Sequence, residues 1–156
     1  MGVVKSFREL NVYQLSRDGT QRIFQLSKRF PIEERYSLTD QIRRSSRAVK
    51  AMIAEAWARR RYKAVFVNKL DEALGEATES QSWLDDALDA GYLSVQEFDI
   101  LDAQYVSITR MLSRMIDRSA DFCKHAPSMD YRSLRSRVEE STPSEDGSDD
   151  LSEFFG

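Results

Sequence analysis

Apolar residues recur every three or four positions along four successive segments of this chain, which is the period of an amphipathic α-helix. The first segment runs from about Leu10 to Phe30 and stops at Pro31, a residue disfavoured inside a continuing helix. The second follows Ser37, a residue suited to cap a helix, and ends near residues 59–61. No alternating run rich in Val, Ile and Thr indicates a strand. The pattern therefore predicts an all-α protein.

The boundary between the third and fourth segments is the sharpest in the sequence. Gly91 stands where a left-handed helix end is usual. Ser94, with Glu97 three residues later, has the spacing of a capping box and predicts the start of the fourth helix. The apolar positions that follow are Phe98, Leu101, Tyr105, Ile108, Leu112, Met115 and Phe122. Four helices joined by short connections favour an antiparallel up-down-up-down four-helix bundle.

The composition changes after residue 124, which divides the chain into two predicted parts. Residues 1–124 form the bundle, and residues 125–156 form an acidic, serine-rich tail that we expect to be disordered. The tail ends in a peptide that contains Leu151, Phe154 and Phe155. These side chains suit docking into a groove with a basic rim on a client protein. Alternatively, they trail in solvent or fold back onto the basic face of their own chain.

Residues able to perform chemistry are scarce. Cys123 is the single cysteine and His125 the single histidine, so neither an internal disulfide nor a zinc or di-iron site can be assembled. No glycine-rich nucleotide loop is present. We therefore predict no catalytic residue, no metal and no cofactor. Acid–base work by Glu55 and Glu79 on neighbouring helices is a weaker alternative, because paired carboxylates of this kind more often make bonds between helices.

No stretch of this sequence resembles a signal peptide or approaches the roughly 20 apolar residues of a membrane helix. A lone thiol also fits a reducing compartment better than a secreted protein. We therefore expect a cytoplasmic protein with no membrane partner.

Charge is distributed unevenly along the chain. The net charge of −3 hides a first part, residues 1–69, with 16 Lys and Arg against 6 Asp and Glu. Residues 70–124 carry 4 basic residues against 12 acidic ones. This asymmetry indicates either an anionic partner for the first part or pairing between the two parts, within a chain or between chains.

The basic residues form two clusters that suit phosphate. On the second helix Arg43, Arg47 and Lys50 project from one side, with Arg44 beside them. Beyond that helix lie Arg59, Arg60, Arg61 and Lys63, with Trp57 and Tyr62 nearby. Guanidinium groups pair with phosphates and aromatic rings stack on unpaired bases, so these residues are candidates for binding RNA or single-stranded DNA.

An alternative partner for the basic residues is the acidic row of the third helix. This row consists of Glu72, Glu76, Glu79 and Asp86, and Trp83 lies close to it. An exposed tryptophan is a frequent anchor of protein interfaces. The row and Trp83 therefore form a candidate oligomer interface.

Several strings of residues resemble one bacterial family. FRELNVYQLS, FPIEERYSLTDQIRRSSRAV, IAEAWARR and ALDAGYLSVQEF are similar to the four-helix bundle proteins encoded by intervening sequences of 23S rRNA genes, over residues 7 to 122. The family's usual proline and glycine in the second helix are absent from Lys50–Ala56, which implies a straighter helix. The acidic tail is additional to the family core.

The resemblance implies a homo-oligomer, with a ring of five as the family arrangement, and a role linked to RNA or DNA. A related bundle is the accessory subunit of reverse transcriptases from diversity-generating retroelements. We therefore expect a non-catalytic, oligomeric accessory protein of nucleic acid, with a reverse transcriptase as one candidate partner. The alternative is a protein–protein scaffold whose acidic tail docks a client protein.

Overall fold

The computed structural model describes residues 6–124 and 150–156, and its long elements are four α-helices. They are α1 (Asn11–Ser27), α2 (Leu38–Ala58), α3 (Lys63–Asp89) and α4 (Val95–Asp117). A short helix, α5 (Ser119–Cys123), follows, and single 3-10 turns span Phe7–Glu9, Ile32–Glu34 and Ser152–Phe154. The predicted all-α fold with four long helices is confirmed.

The contacts between neighbouring helices show that these helices run in opposite directions. The hydrogen bonds and ion pairs that show this join Thr20 to Ser46, Ser27 to Arg43, Ser45 to Ser80 and Glu55 to Lys69. On α1 and α4, Asp18 meets Gln104 and Arg29 meets Glu97. For each pair of neighbouring helices, the contact with the higher residue number on one helix has the lower residue number on the other. Each long helix thus packs beside two others, because α1 contacts α2 and α4, and α3 contacts α2 and α4.

The turn between α3 and α4 has the geometry that the sequence predicts. Gly91 has a φ of 76°, and the N–H groups of Gly91 and Tyr92 donate to the carbonyls of Leu88 and Ala87, the bonds of a Schellman motif. At the start of α4 the Glu97 N–H donates to the Ser94 hydroxyl, while the Ser94 N–H donates to the Glu97 carboxylate. The predicted capping box is confirmed.

The start of α2 differs from the prediction that Ser37 caps it. The Ser37 hydroxyl donates to the Glu34 carboxylate at 2.6 Å, and the Leu38 N–H donates to the same carboxylate at 3.2 Å. Together with a bond from the Tyr92 hydroxyl, these bonds hold the pKa of Glu34 below its usual value. The longer side chain of Glu34 reaches the free N–H from the preceding turn, so it is the cap.

The last predicted helix is divided in two. Helix α4 stops at Asp117, and α5 begins at Ser119, the one polar residue in the predicted apolar seam. At the break the Arg118 guanidinium donates to the Asp121 carboxylate at 2.6 Å. The change of direction brings the Phe122 ring against Phe66, with 5.6 Å between ring centroids.

The core contains the predicted apolar stripes together with small polar residues. Its largest fully buried side chains include Tyr105, Phe66, Ile23, Ile42, Ile53, Leu70 and Leu112. Buried serines and a threonine lie where helices approach closely, and they are Ser16, Thr20, Ser45, Ser46 and Ser80. The sequence analysis overlooked them because periodicity counts apolar residues alone. None of the helices built by the described residues is long and apolar enough to cross a bilayer.

The predicted tail divides into two portions. Residues 125–149, on which most of the predicted disorder falls, lie outside the described residues. Residues 150–156, hereafter the C-terminal peptide, differ from the prediction because they pack against the bundle, with Phe154 only 6% exposed. Burial of an aromatic ring is the physical reason that this end of the chain is ordered.

Candidate nucleic-acid interface

Three cations surround one aromatic ring on the face shared by α1 and α2. Lys28, Arg43 and Arg47 place their charged groups 4.7, 4.9 and 5.8 Å from the centroid of the Phe24 ring. Cations are attracted to the face of such a ring. These four residues form the Phe24 cluster, which brings a positive patch around an aromatic side chain.

The two members of the Phe24 cluster on α1, Phe24 and Lys28, were missed by the sequence analysis. Their spacing of i and i+4 is ordinary in any helix. Only the pairing of α1 with α2, visible in the bond from the Arg43 guanidinium to the Ser27 hydroxyl at 2.7 Å, shows that they lie beside Arg43 and Arg47.

The predicted basic residues of α2 differ in their surroundings. Arg43 is half-buried and fixed by Ser27, whereas Arg47 is exposed and continues the row toward the half-buried Lys50. Arg44 is 76% exposed and pairs with Asp40 at 3.5 Å. Arg44 therefore lies outside the Phe24 cluster.

The positive surface extends along α1. Arg17 is exposed and stands seven residues before Phe24, which is close to two helical turns and places it on the same side of the helix. Among the described residues, neither Arg17, Lys28, Arg47 nor Lys50 forms an ion pair with a carboxylate. The α1–α2 face thus presents cations that are not neutralised within the described part of the chain.

The second predicted cluster, at the turn between α2 and α3, is arranged differently from the expectation of free aromatic rings. The Arg60 guanidinium lies 4.1 Å from the Trp57 ring centroid and donates to the Trp57 carbonyl at 2.8 Å. Burial lowers the pKa of Arg60. Arg61 covers the Tyr62 ring at 4.6 Å. One face of each ring is thus covered by an arginine of the same chain.

Arg59 and Lys63 are the exposed members of this second cluster. They lie at opposite ends of the turn, so the exposed charges of this cluster are fewer and further apart than those of the α1–α2 face. We therefore regard the α1–α2 face as the stronger of the two candidate surfaces.

The acidic row of α3 faces the basic row across an open groove of about 550 Å³ between α2 and α3. Arg44 and Arg47 line one side, and Glu76 and Glu79 line the other. Burial and the neighbouring carboxylates of Glu79 and Glu72 raise the pKa of Glu76. The two halves of the chain therefore meet here with opposite charges.

Glu72 and Asp86, the outer members of the acidic row, are both exposed and do not line this groove. The Lys69 ammonium contacts Glu72 and Glu55, each at 3.1 Å. The hydrogen bonds that the Lys69 ammonium donates to these two carboxylates, first Glu72 and then Glu55, raise the pKa of Lys69. Lys69 is thus the residue that joins α2 and α3 through an ion pair.

Trp83 does not have the exposure that the sequence analysis assigned to it. Its ring is half-buried against the core, and its indole N–H donates to the Glu79 carboxylate at 3.1 Å. The exposed large apolar side chains are instead Ile32, Tyr36, Tyr62, Val95 and Ile100. Most of them lie at the end of the bundle where the α1–α2 link meets the α3–α4 turn. Periodicity alone does not identify this end as a surface with exposed apolar side chains.

The structure does not bring Glu55 and Glu79 together. Contacts place Glu55 level with Lys69 and Ser80 level with Ser45, so the two carboxylates are about 15 Å apart along the bundle. Within residues 6–124 and 150–156 no cluster of metal-binding side chains is found. His125 lies outside the described residues, and burial raises the pKa of the half-buried Cys123.

The C-terminal peptide lies at the end of the bundle formed by the start of α1, the end of α2 and helix α5. The Phe154 ring packs edge-on against Phe122 at 4.9 Å, and the Phe155 ring packs against Trp57 at 6.0 Å. A backbone bridge joins Phe155 to Leu10. Leu151 is half-buried at the edge of the same contact.

Basic side chains border this apolar contact. The Arg118 guanidinium lies 3.0 Å from the Glu153 carboxylate, and Arg114 lies 3.9 Å from it. The Asn11 amide donates to the Glu153 carbonyl at 3.2 Å. The peptide for which we predicted a groove with a basic rim on a client thus occupies such a groove on its own bundle. Docking to a client protein remains a prediction.

Comparisons with known proteins agree with this fold. A family model described as 23S rRNA-intervening sequence protein matches residues 8–114. A crystal structure of a protein of unknown function from the S23 ribosomal protein family of Bacteroides thetaiotaomicron is similar at 29% identity and a TM-score of 0.62. The match covers 67% of this chain and 97% of that one. No curated protein matches the chain.

Proposed function

Because this chain belongs to the 23S rRNA-intervening sequence protein family, we propose that it is a non-catalytic accessory protein that binds RNA or single-stranded DNA through its α1–α2 face. The Phe24 cluster is the observation on which this proposal rests. Three cations converge there on one ring, and two of them, Lys28 and Arg47, are exposed. A reverse transcriptase is one candidate protein partner, as the family resemblance implies.

The dimensions of the face suit a single strand. From Arg17 to Lys28 the α1 backbone rises about 16 Å, and from Arg43 to Lys50 the α2 backbone rises about 10 Å. Binding of unpaired nucleic acid combines a positive surface that follows the backbone with sequence-tolerant contacts. The face supplies the positive surface, so we expect affinity with little sequence preference.

Salt dependence tests this proposal. We expect labelled RNA and single-stranded DNA oligonucleotides to bind at about 50 mM salt and to dissociate steeply as salt rises, since each neutralised phosphate releases counterions. Fluorescence anisotropy at several salt concentrations measures the slope. Absence of binding to either nucleic acid at low salt would remove the proposal.

Charge reversal on the face gives the matched comparison. Lys28→Glu and Arg47→Glu should each weaken binding and reduce the salt slope by about one unit, to a similar extent across sequences. Arg110→Glu is the control, because Arg110 is exposed on α4 and lies beyond Gln104, which is level with Asp18, and thus toward the end of α1 that is far from Phe24. Equal loss in all three variants would mean that only net charge matters.

A protein–protein scaffold is the second candidate function, and the exposed apolar side chains Ile32, Tyr36, Val95 and Ile100 favour it. In that case the chain assembles into a homo-oligomer, for which the family resemblance implies five subunits. Combined change of Arg43, Arg47 and Lys50 to glutamate would then disrupt assembly. Light scattering decides the question, because an unchanged mass of this triple variant counts against a scaffold built on the basic face.

A further inference from the structure

The contact between the C-terminal peptide and the bundle has the composition of a peptide complex. One aromatic side chain, Phe154, is 6% exposed and sits against Phe122. A second, Phe155, reaches Trp57 and forms a backbone bridge with Leu10. Short peptides that bind proteins combine side-chain anchors with main-chain bonds, and here the main-chain pairing is a single bridge after the 3-10 turn.

The polar contacts add selectivity for an acidic residue before the aromatic pair. Glu153 lies between Arg118 at 3.0 Å and Arg114 at 3.9 Å. The 3-10 turn of the peptide is closed by the Phe155 N–H, which donates to the Ser152 carbonyl at 3.2 Å, and before it the Ser152 N–H donates to the Asp150 carboxylate at 2.9 Å. The groove thus contacts, in order along the peptide, an acidic residue and two aromatic residues.

Covalent connection to the bundle does not force this docking. Residues 125–149 separate Lys124 from Asp150, and 25 extended residues span up to about 85 Å. A chain of this length permits the peptide to leave its own groove and to reach another molecule. Every copy of the chain presents both the peptide and the groove.

We propose that this groove is a peptide-binding site, and that once its own peptide has left it binds the C-terminal peptide of a second copy. The peptide of a second copy then makes the same contacts with the groove as the chain's own peptide does. Tethering gives the chain's own peptide an effective concentration of about 1 mM, so the intact protein holds its groove closed to peptide at lower concentrations. This proposal is independent of the α1–α2 face, since no residue of the Phe24 cluster touches the groove.

A fluorescent synthetic peptide with the sequence of residues 149–156 tests the proposal. The protein is compared as the full-length wild type and as the full-length double variant Phe154→Ala and Phe155→Ala, in which the groove is emptied. We expect the emptied variant to bind the peptide at least about 10-fold more tightly than the wild type, because the tethered competitor has been weakened. Equal affinity of the two proteins, or no binding to the folded emptied variant, would overturn the proposal.

Specificity is checked on the peptide. A peptide with Phe154→Ala should bind the emptied variant at least about 30-fold more weakly, as expected of an anchor side chain. A peptide with Glu153→Arg should also lose affinity and regain it when Arg118→Glu is added to the emptied variant. Binding that ignores both changes would indicate non-specific adhesion and contradict the inference.

A milder variant is used if the double variant unfolds, as shown by loss of its helical circular dichroism signal. Full-length Glu153→Arg retains both phenylalanines but places like charges beside Arg114 and Arg118, so it should also open the groove to added peptide. Loss of the helical signal in both variants would show that the peptide is a fixed part of the fold and would overturn its exchange between copies.

Discussion

At the scale of single residues, two buried polar side-chain atoms of the described residues have no hydrogen-bond partner, the Nε of Arg61 and the hydroxyl of Tyr105. Tyr105 is fully buried, and its hydroxyl has no hydrogen-bond partner among the described residues. Burial raises the pKa of Tyr105, so its phenol stays neutral. A Cβ atom at Gly19 would lie 3.2 Å from this ring, so the glycine makes room for the tyrosine.

We expect Tyr105→Phe to raise the free energy of unfolding by up to about 1 kcal/mol, because it removes a buried hydroxyl that has no partner. Urea unfolding measures the change. Tyr62→Phe is the control, since Tyr62 is 55% exposed and its hydroxyl is hydrated in both states. A decrease above about 1 kcal/mol for Tyr105→Phe would reveal a partner for the hydroxyl in solution.

Glu76 links stability to pH. Its pKa is raised in the folded protein, so the folded state holds the proton more tightly than the unfolded chain. The stabilisation that comes from this tighter binding of the proton by Glu76 is complete below the unfolded pKa of 4.5. It is lost as pH rises through the folded pKa. At neutral pH the charged form of Glu76 therefore destabilises the protein.

Glu76→Gln should accordingly raise Tm at pH 7 and leave it nearly unchanged at pH 4. Thermal unfolding at the two pH values measures this difference. Asp71→Asn is the matched control, because Asp71 is exposed on the same helix. An equal increase in Tm for Glu76→Gln at both pH values would show that the charge of Glu76 is not the cause.

At the scale of elements, the helix boundaries with local signals are the ones that the sequence predicted. Gly91 and the Ser94–Glu97 box act through neighbours within a few residues, so spacing alone identified them. The cap by Glu34 and the break at Arg118 were missed, although their main bonds, to Ser37, Leu38 and Asp121, are local. A glutamate or an arginine three residues from such a partner is common in any sequence, so spacing alone does not mark it as a helix boundary.

Two glycines on α3 and its turn give a matched test of element geometry. Gly91→Ala should lower the free energy of unfolding by about 1 kcal/mol, because Gly91 has a φ of 76° and L-residues are strained there. Gly75→Ala should raise it by about 0.5–1 kcal/mol, since Gly75 is within α3 and a Cβ there meets nothing within 4 Å. Urea unfolding of both variants measures the two changes in the free energy of unfolding, which should have opposite signs. An increase in the free energy of unfolding for Gly91→Ala would contradict the left-handed turn.

At the scale of the whole molecule, the sequence predicted which charges exist but only partly where they meet. Arg43 and Arg47 were correctly grouped by helical spacing, whereas Phe24 and Lys28 joined them through the packing of α1 on α2. Trp83 was assigned to the surface because its neighbours in sequence are acidic, yet its ring faces the core. The anchoring of Phe154 depends on a partner, Phe122, that is distant along the chain.

The docking of the C-terminal peptide couples the two ends of the chain. We expect Phe154→Ala to speed amide hydrogen exchange in residues 7–14 by at least about 10-fold, because Phe155 and Glu153 no longer hold Leu10 and Asn11. Mass spectrometry of peptic fragments measures this, and the α3–α4 turn should stay unchanged. Ser152→Ala is the control, since the Ser152 side chain is exposed, and equal acceleration in it would refute the coupling.

The packing of α1 and α2 beside α3 and α4 has a consequence for how the molecule approaches a charged surface. Residues 1–69 have an excess of positive charge and residues 70–124 an excess of negative charge, and the axes of packed helices are about 10 Å apart. The bundle therefore has an electric dipole with a component that points from α3 and α4 toward α1 and α2. Near a polyanion this dipole produces a torque that turns the α1–α2 face toward the polyanion before contact, and the torque weakens as ionic strength rises.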